Sequence, residues 1–425
     1  MHKRAFFVGV LIICHIIFWS AWWTPAASAF PKSSYTEEEQ LFSQAWRIVS
    51  QTYLDETFNH QNWWLLRQKA LEKSLDNREV TYEEIEKLLG TLDEPFTRLL
   101  RPEQYRSLQV STSGELSGVG LQIAFNSQTG ELEVVAPIDG SPASEAGIKA
   151  RDRILEIDGT LTSTLTIDEA AARMRGPAGT KVTLKIQGRN EEPKDIELVR
   201  DRIALNPVYF TLAQQPEGTT VGYIRLTQFS ANATEAIADA VDSLESQGAD
   251  AYILDLRNNP GGLLQAGIEI ARLWLDEGTI VYTVNRQGTL GSFEANGFAI
   301  NEDPLVVLVN QGTASASEIL AGALQDNGRA TIVGEQTFGK GLIQSLFDLF
   351  DGSGLAVTVA KYETPSHQDI HKLGITPDVR VPLEPITLSQ IGTATDSQYQ
   401  AAVELLTSDS VLERSNLTLR GIRQW

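Results

Sequence analysis

Cysteine is nearly absent from these 425 residues, and the one present, Cys14, sits inside an apolar run near the N-terminus. The rest of the chain therefore has no disulfide, no thiol nucleophile and no thiolate metal site. Positive charge is also scarce: 35 Lys and Arg face 55 Asp and Glu, for a net charge of −20. That balance argues against nucleic acid as a partner and leaves no polybasic membrane patch. No long low-complexity run and no short repeat is visible, which excludes a solenoid. The length is too great for one ordinary core, so two or three domains are expected.

The N-terminus has a clear order. Met1-His2-Lys3-Arg4 precedes apolar residues from Ala5 to Phe18, and Ala27-Ser28-Ala29 follows. This is the pattern of a secretory signal at 1–29 cleaved after Ala29, with a retained anchor from Ala5 to Trp23 as the alternative.

Three textures follow. Residues 30–108 read as a helical N-terminal domain: Ala45, Ile48, Val49 and Tyr53 recur at helical spacing, and Thr81 with Glu84 suggests a capping box ahead of Ile85. Residues 109–203 show short β runs, with helix expected over 167–175. Residues 204–425 alternate strand and helix, which indicates an α/β layer with parallel strands. The fold class is thus multidomain α/β and β.

Ser315-Ala316-Ser317-Glu318 opens the expected helix 316–326. The pattern is a capping box, and the same geometry suits a nucleophile, because helix N-terminal N–H groups face the charge developing on an attacked carbonyl. Lys340, in Phe338-Gly339-Lys340-Gly341, could act as a base if burial lowers its pKa. Phe338 and the flanking glycines suggest an apolar setting, and Ile332, Val333, Leu342 and Ile343 a buried strand pair around it. A phosphate loop is excluded because Gly341 stands where Ser or Thr would hold magnesium, so no nucleotide or other cofactor is expected. Asp255 to Gly262 ends a buried strand in a glycine turn and could bare further N–H groups. His367-Gln368-Asp369-Ile370-His371 lies between Pro365 and Gly374 in a loop, and reads as a polar surface segment with no metal.

Taken together, Gly118-Val119-Gly120-Leu121, Asp255 to Gly262, Thr313 to Glu318, and Phe338 to Gln344 resemble the carboxyl-terminal processing peptidases, or tail-specific proteases, over essentially the whole mature chain. The resemblance implies a helical N-terminal domain, a PDZ-like domain and an α/β serine protease core. It places the nucleophile on Ser315 rather than Ser317, the base on Lys340, and an orienting residue on Gln344. Oxyanion donors would be the amides of Ala316 and Gly261, and Asp326 matches an acidic position near the site in some members. Gly118, Val119, Gly120 and Leu121 would bind a substrate C-terminus, the peptide adding as a strand. Arg151 departs from the family, which usually has glycine there.

The N-terminal region, including Leu92 to Arg98, is similar to lumenal members that process a photosystem II reaction-centre precursor. This implies protein substrates with apolar C-terminal tails, embedded in a membrane and approached from the lumenal side. The implied compartment is the thylakoid lumen or periplasm of a cyanobacterium-like cell. Two other readings compete with this one. A non-catalytic PDZ-bearing scaffold is disfavoured because Ser315, Lys340 and Gln344 are all kept. A Ser–His hydrolase using His60, His367 or His371 is disfavoured because Ser315 lacks a Gly-x-Ser-x-Gly elbow.

Overall fold

The computed structural model describes residues 35–408, apart from 127, 128, 190, 217, 289, 383 and 385. The expected signal at 1–29 lies outside the described residues. No described helix is long and apolar enough to cross a membrane.

Three helices come first: Glu37–Thr52, Trp63–Leu71 and Arg78–Gly90. Thr36 with Glu39, Asn62 and Asn77 cap their N-termini by accepting backbone N–H bonds. Thr81 is therefore not a cap. It lies inside the third helix, where its hydroxyl bonds Asn77 O and the Glu38 carboxylate. A cap one turn earlier won because Asn77 supplies a side-chain acceptor first.

The helices do not form a closed bundle. Leu41, Phe42, Val49 and Ile85 share one core with Leu349, Leu355 and Val357 from the C-terminal half. The next segment joins that half outright, since Arg98–Leu100 pairs antiparallel with Gly354–Glu363. Helix Pro102–Ser113 then leads to strand Glu115–Gly118, which pairs with Asp201–Ala204. These two strands lead into and out of a six-stranded sheet whose edge is Leu121–Phe125. Helix Ile167–Met174 packs beside that edge.

The largest core surrounds a six-stranded sheet, ordered Val208–Gln214, Thr220–Leu226, Ala251–Asp255, Leu305–Val309, Ala330–Gly334 and Val379–Arg380. All pairs but the first are parallel. Ala251–Asp255 and Leu305–Val309 are buried along their whole length, as expected of strands covered on both faces. Helices Ala233–Ser246, Leu264–Trp274 and Ala316–Asp326 cover one face, and Ser397–Thr407 covers the other. The carboxyl ends of three adjacent parallel strands release Leu256–Gly262, Asn310–Ser315 and Glu335–Lys340 at one edge, where α/β folds bind ligands.

The strand pair expected around Lys340 is absent. Ala330–Gly334 belongs to the parallel sheet, between Leu305–Val309 and Val379–Arg380, whereas Leu342–Asp348 pairs with Gly354–Glu363 in the second sheet. Lys340 bridges the two sheets rather than sitting within one.

Candidate active site

Ser315 is a sharp elbow between Leu305–Val309 and helix Ala316–Asp326, with φ 59° and ψ −119°. A non-glycine residue held there stores roughly 1–3 kcal/mol of strain, so surrounding contacts must impose it. They are visible. The Glu318 carboxylate, fully buried, accepts from Ser315 N–H at 2.8 Å. Tyr362 donates its hydroxyl to Ser315 O at 3.1 Å. The bond from Ser315 N–H to Glu318 is the glutamate half of the expected capping box. Ser317 is buried, and its hydroxyl donates to Asn259 O at 3.0 Å. Of the two serines, Ser315 lines the cavity and Ser317 is structural.

Glu318 also holds the lysine segment. Its carboxylate accepts from Thr337 Oγ1 at 2.6 Å, Gly339 N at 2.7 Å and Lys340 N at 2.9 Å. Tyr362 donates to Lys340 O at 2.5 Å as well. One carboxylate and one phenol thus fix Ser315 and Lys340 against each other. In the sequence Glu318 reads only as a capping acid, and nothing marks Tyr362. The signal that could have found Glu318 is a charged residue on the apolar side of a helix flanked by Ile319 and Leu320.

The Lys340 side chain is half-buried, and its Nζ lies 4.9 Å from the Phe96 ring centroid. Burial pushes its pKa below the ordinary lysine range and the positive charge of Arg98 adds to this, against smaller opposing effects of Glu94 and Glu318. Phe338, expected to shield the lysine, is 57 % exposed. The shield comes instead from Phe96 of the N-terminal segment. Gln344 donates from Nε2 to Thr358 Oγ1 at 3.2 Å.

Ser315, Ala316, Lys340, Gln344 and Gly261 line one cavity of about 710 Å³ with an apolar wall that includes Leu108, Leu263 and Ile319. The Ala316 N–H, at the first helical position, meets no protein acceptor among the described residues. Gly261, with φ 94°, approaches the elbow so closely that a Cβ would stand 2.9 Å from Ala316 N. Its own N–H, however, donates to Asn259 Oδ1 at 2.9 Å. That corrects the expectation of a free donor there. The N–H of Gly262, which also lines the cavity, has no protein acceptor among the described residues.

Asp326 is not brought to this site. It ends the helix that Ser315 begins, about 16 Å away at 1.5 Å per residue, and accepts from Ser366 N and Oγ. The 367–371 loop is not simply polar surface. Ile370 is buried, and Lys372, just beyond the loop, braces the lysine segment by donating its N–H to Gly339 O at 2.8 Å. His367 stacks on Tyr282 at 4.2 Å between ring centroids.

Gly118 ends the strand Glu115–Gly118, Val119 and Gly120 form the loop after it, and Leu121 begins the edge strand Leu121–Phe125. Loop carbonyls point inward, Gly120 O accepting from Ile138 N at 2.9 Å and Val119 O from Ala143 N at 3.0 Å. The N–H groups of Val119 and Gly120 meet no protein acceptor among the described residues. Gly120 has φ 77°, and a Cβ there would stand 2.2 Å from Ser141 Cβ. Only glycine fits.

Behind the turn at 256–262 lies a buried ion network that nothing in the sequence marks. Arg257 pairs with Asp255 at 2.6 Å and with Asp396 at 2.7 Å, and Tyr223 donates to Asp255 at 2.6 Å. It ties the turn to the helix Ser397–Thr407.

A sequence model described as Peptidase family S41 matches residues 220–381, and one described as PDZ domain matches 133–188. The "Carboxyl-terminal-processing protease" of Synechocystis sp. is 66% identical over 385 residues, covering 90% of this chain and 89% of that one. "Carboxyl-terminal-processing peptidase 2, chloroplastic" of Arabidopsis thaliana is 46% identical, covering 83% of this chain and 70% of its own length. The solved structure of a "Photosystem II D1 C-terminal processing protease" is 39% identical with a TM-score of 0.55, covering 89% of this chain and 99% of that one.

Proposed function

The chain belongs to the carboxyl-terminal-processing proteases, serine hydrolases of peptidase family S41 with a PDZ domain, and on that premise we propose that Ser315 and Lys340 are its catalytic dyad. The observation that carries this is the shared clamp: Glu318 and Tyr362 hold a strained, cavity-facing serine elbow against a half-buried lysine of lowered pKa.

Neutral Lys340 takes the proton from Ser315 Oγ as the oxygen attacks the scissile carbonyl. The oxyanion faces the Ala316 N–H, joined by the turn at Gly261 and Gly262, of which Gly262 carries the uncommitted N–H. Lys340 then gives its proton to the leaving amine as the C–N bond breaks, and the tail departs. Water, deprotonated by Lys340, attacks the acyl ester and frees Ser315. Gln344 orients Lys340 by accepting from its Nζ through the amide oxygen.

The protein acts on protein substrates. Their C-termini bind at Gly118, Val119, Gly120 and Leu121, where the two uncommitted N–H groups suit a carboxylate and the edge strand Leu121–Phe125 suits an added strand. The pairing of Glu115–Gly118 with Asp201–Ala204 supports placing this binding unit at 109–203. The substrate we infer is a photosystem II reaction-centre precursor with an apolar tail, approached from the lumen after export. Two observations support that inference: the 39% identical structure is of a protease that processes the D1 C-terminus, and the N-terminus carries a signal pattern.

The test is to incubate the mature chain, and its Ser315→Ala form, with a protein bearing such an extension and to follow intact masses. Loss of one discrete tail with the wild-type chain alone is expected. Equal loss with Ser315→Ala removes the dyad, and no loss with either removes the substrate assignment.

A further inference from the structure

The N-terminal segment reaches Gln344, which lines the cavity together with Lys340, through a chain of hydrogen bonds. The Glu94 carboxylate accepts from Phe96 N, from Thr97 N at 3.0 Å and from Thr97 Oγ1 at 2.8 Å. It accepts a fourth bond, from Thr358 Oγ1, at 2.8 Å. Thr358 N in turn donates to Thr97 Oγ1 at 3.0 Å, so the segment is stapled to the strand Gly354–Glu363 from both sides. Thr358 stands opposite Gln344 in the register, beside a bulge between Ile343 and Gln344.

Chemistry dictates the direction of this chain. Glu94 accepts from four donors, so the single hydroxyl hydrogen of Thr358 is committed to it. Thr358 Oγ1 can then only accept from Gln344, which must present Nε2 to it. The amide is planar, so Oε1 is left facing away from Thr358, free to accept from the lysine. Without that hydroxyl the amide could turn, and its NH₂ would donate to the neutral amine and occupy the lone pair that the serine proton needs.

We propose that Glu94 and Thr358 are positioning residues that fix the Gln344 amide with its oxygen toward Lys340, so that the N-terminal helical region completes the base. The proposal rests on the reading of Lys340 as base and Gln344 as its orienter. The same staple seats Phe96, whose ring lies 4.9 Å from Lys340 Nζ. The charged groups around that amine are Arg98, Glu94 and Glu318.

The experiment measures kcat and KM against pH on a short C-terminal peptide for Thr358→Val, Thr358→Ser, Glu94→Gln and Gln344→Ala. Thr358→Val keeps the volume and should lower kcat roughly tenfold, the worth of one hydrogen bond, with little change in KM. It should also move the acid limb of kcat to lower pH, because an amide donor facing the ammonium disfavours it. Glu94→Gln should move the limb the same way by removing a negative charge, and Thr358→Ser should restore the wild-type profile. Overlaid wild-type profiles for Thr358→Val and Glu94→Gln, with Gln344→Ala shifted, would overturn the relay and leave the base reading standing. A Gln344→Ala profile identical to wild type would overturn both. A uniform loss in Thr358→Val with an unmoved limb and no rescue by serine would reduce Thr358 to a packing residue and also overturn the proposal.

Discussion

Replacing Glu318 by glutamine removes one acceptor from a buried carboxylate that serves four donors at once. Oε1 accepts from Thr337 Oγ1 and Gly339 N, and Oε2 from Ser315 N and Lys340 N. In the milder outcome the amide nitrogen takes the Thr337 side, where the hydroxyl can turn to accept, and only the Gly339 N–H is orphaned. In the harsher one both Ser315 and Lys340 lose their acceptor. One buried unsatisfied donor costs about 1–3 kcal/mol, and bonds to a charged group are worth about 1.5–3 kcal/mol. Tm should fall by roughly 2–4 °C per kcal/mol for a unit of this size. If one such bond is felt at the elbow, cleavage should fall roughly ten- to a hundredfold, since each 1.36 kcal/mol is a factor of ten. Peptide hydrolysis and thermal denaturation of Glu318→Gln read the two effects separately. A variant indistinguishable from wild type in both would refute the view that this carboxylate imposes the Ser315 conformation.

Activity should rise with pH as Lys340 loses its proton, with an acid limb below the ordinary lysine range. Arg98→Ala, which removes a positive charge that disfavours the ammonium, should move that limb upward in a pH–rate profile. Arg151 has φ 71°, the left-handed region that favours glycine, so Arg151→Gly should stabilise the protein by about 1 kcal/mol, seen as a raised denaturation midpoint. Asp396→Asn leaves Arg257 partly unpaired in a buried site and should cost about 3–5 kcal/mol. Burial pushes the Asp396 carboxyl up, but Arg257 and the N–H groups of Gly392 and Tyr399 overcome it and hold its pKa below the usual range. The stability it contributes is therefore present above the unfolded-state pKa and is lost as pH falls through the folded one, a limb that acid unfolding of Asp396→Asn should lack.

How far the site is legible in the sequence differs residue by residue. Ser315 and Lys340 stand out because each sits in a short, unusual local pattern: a serine at a helix start, a lysine between glycines. The alternation after residue 204 predicts a parallel layer, and helix 316–326 matches its expected limits because helical periodicity is a local signal. Thr81 reads as a cap but is not one, because Asn77 offers an equally good acceptor one turn earlier.

Local pattern also determined the serine, the lysine and the glycine loop as chemical possibilities, since turns and helix starts are set by neighbouring residues. Partnership at long range was decided only by tertiary structure. It put Ile332 and Leu342 in different sheets and tied Arg257 to Asp396 behind the turn at 256–262. It also brought Glu94 and Phe96 from the N-terminal segment against Thr358 and Lys340. Such contacts join residues hundreds of positions apart. They form because a buried carboxylate or N–H must find a partner when water is excluded, wherever the chain supplies one.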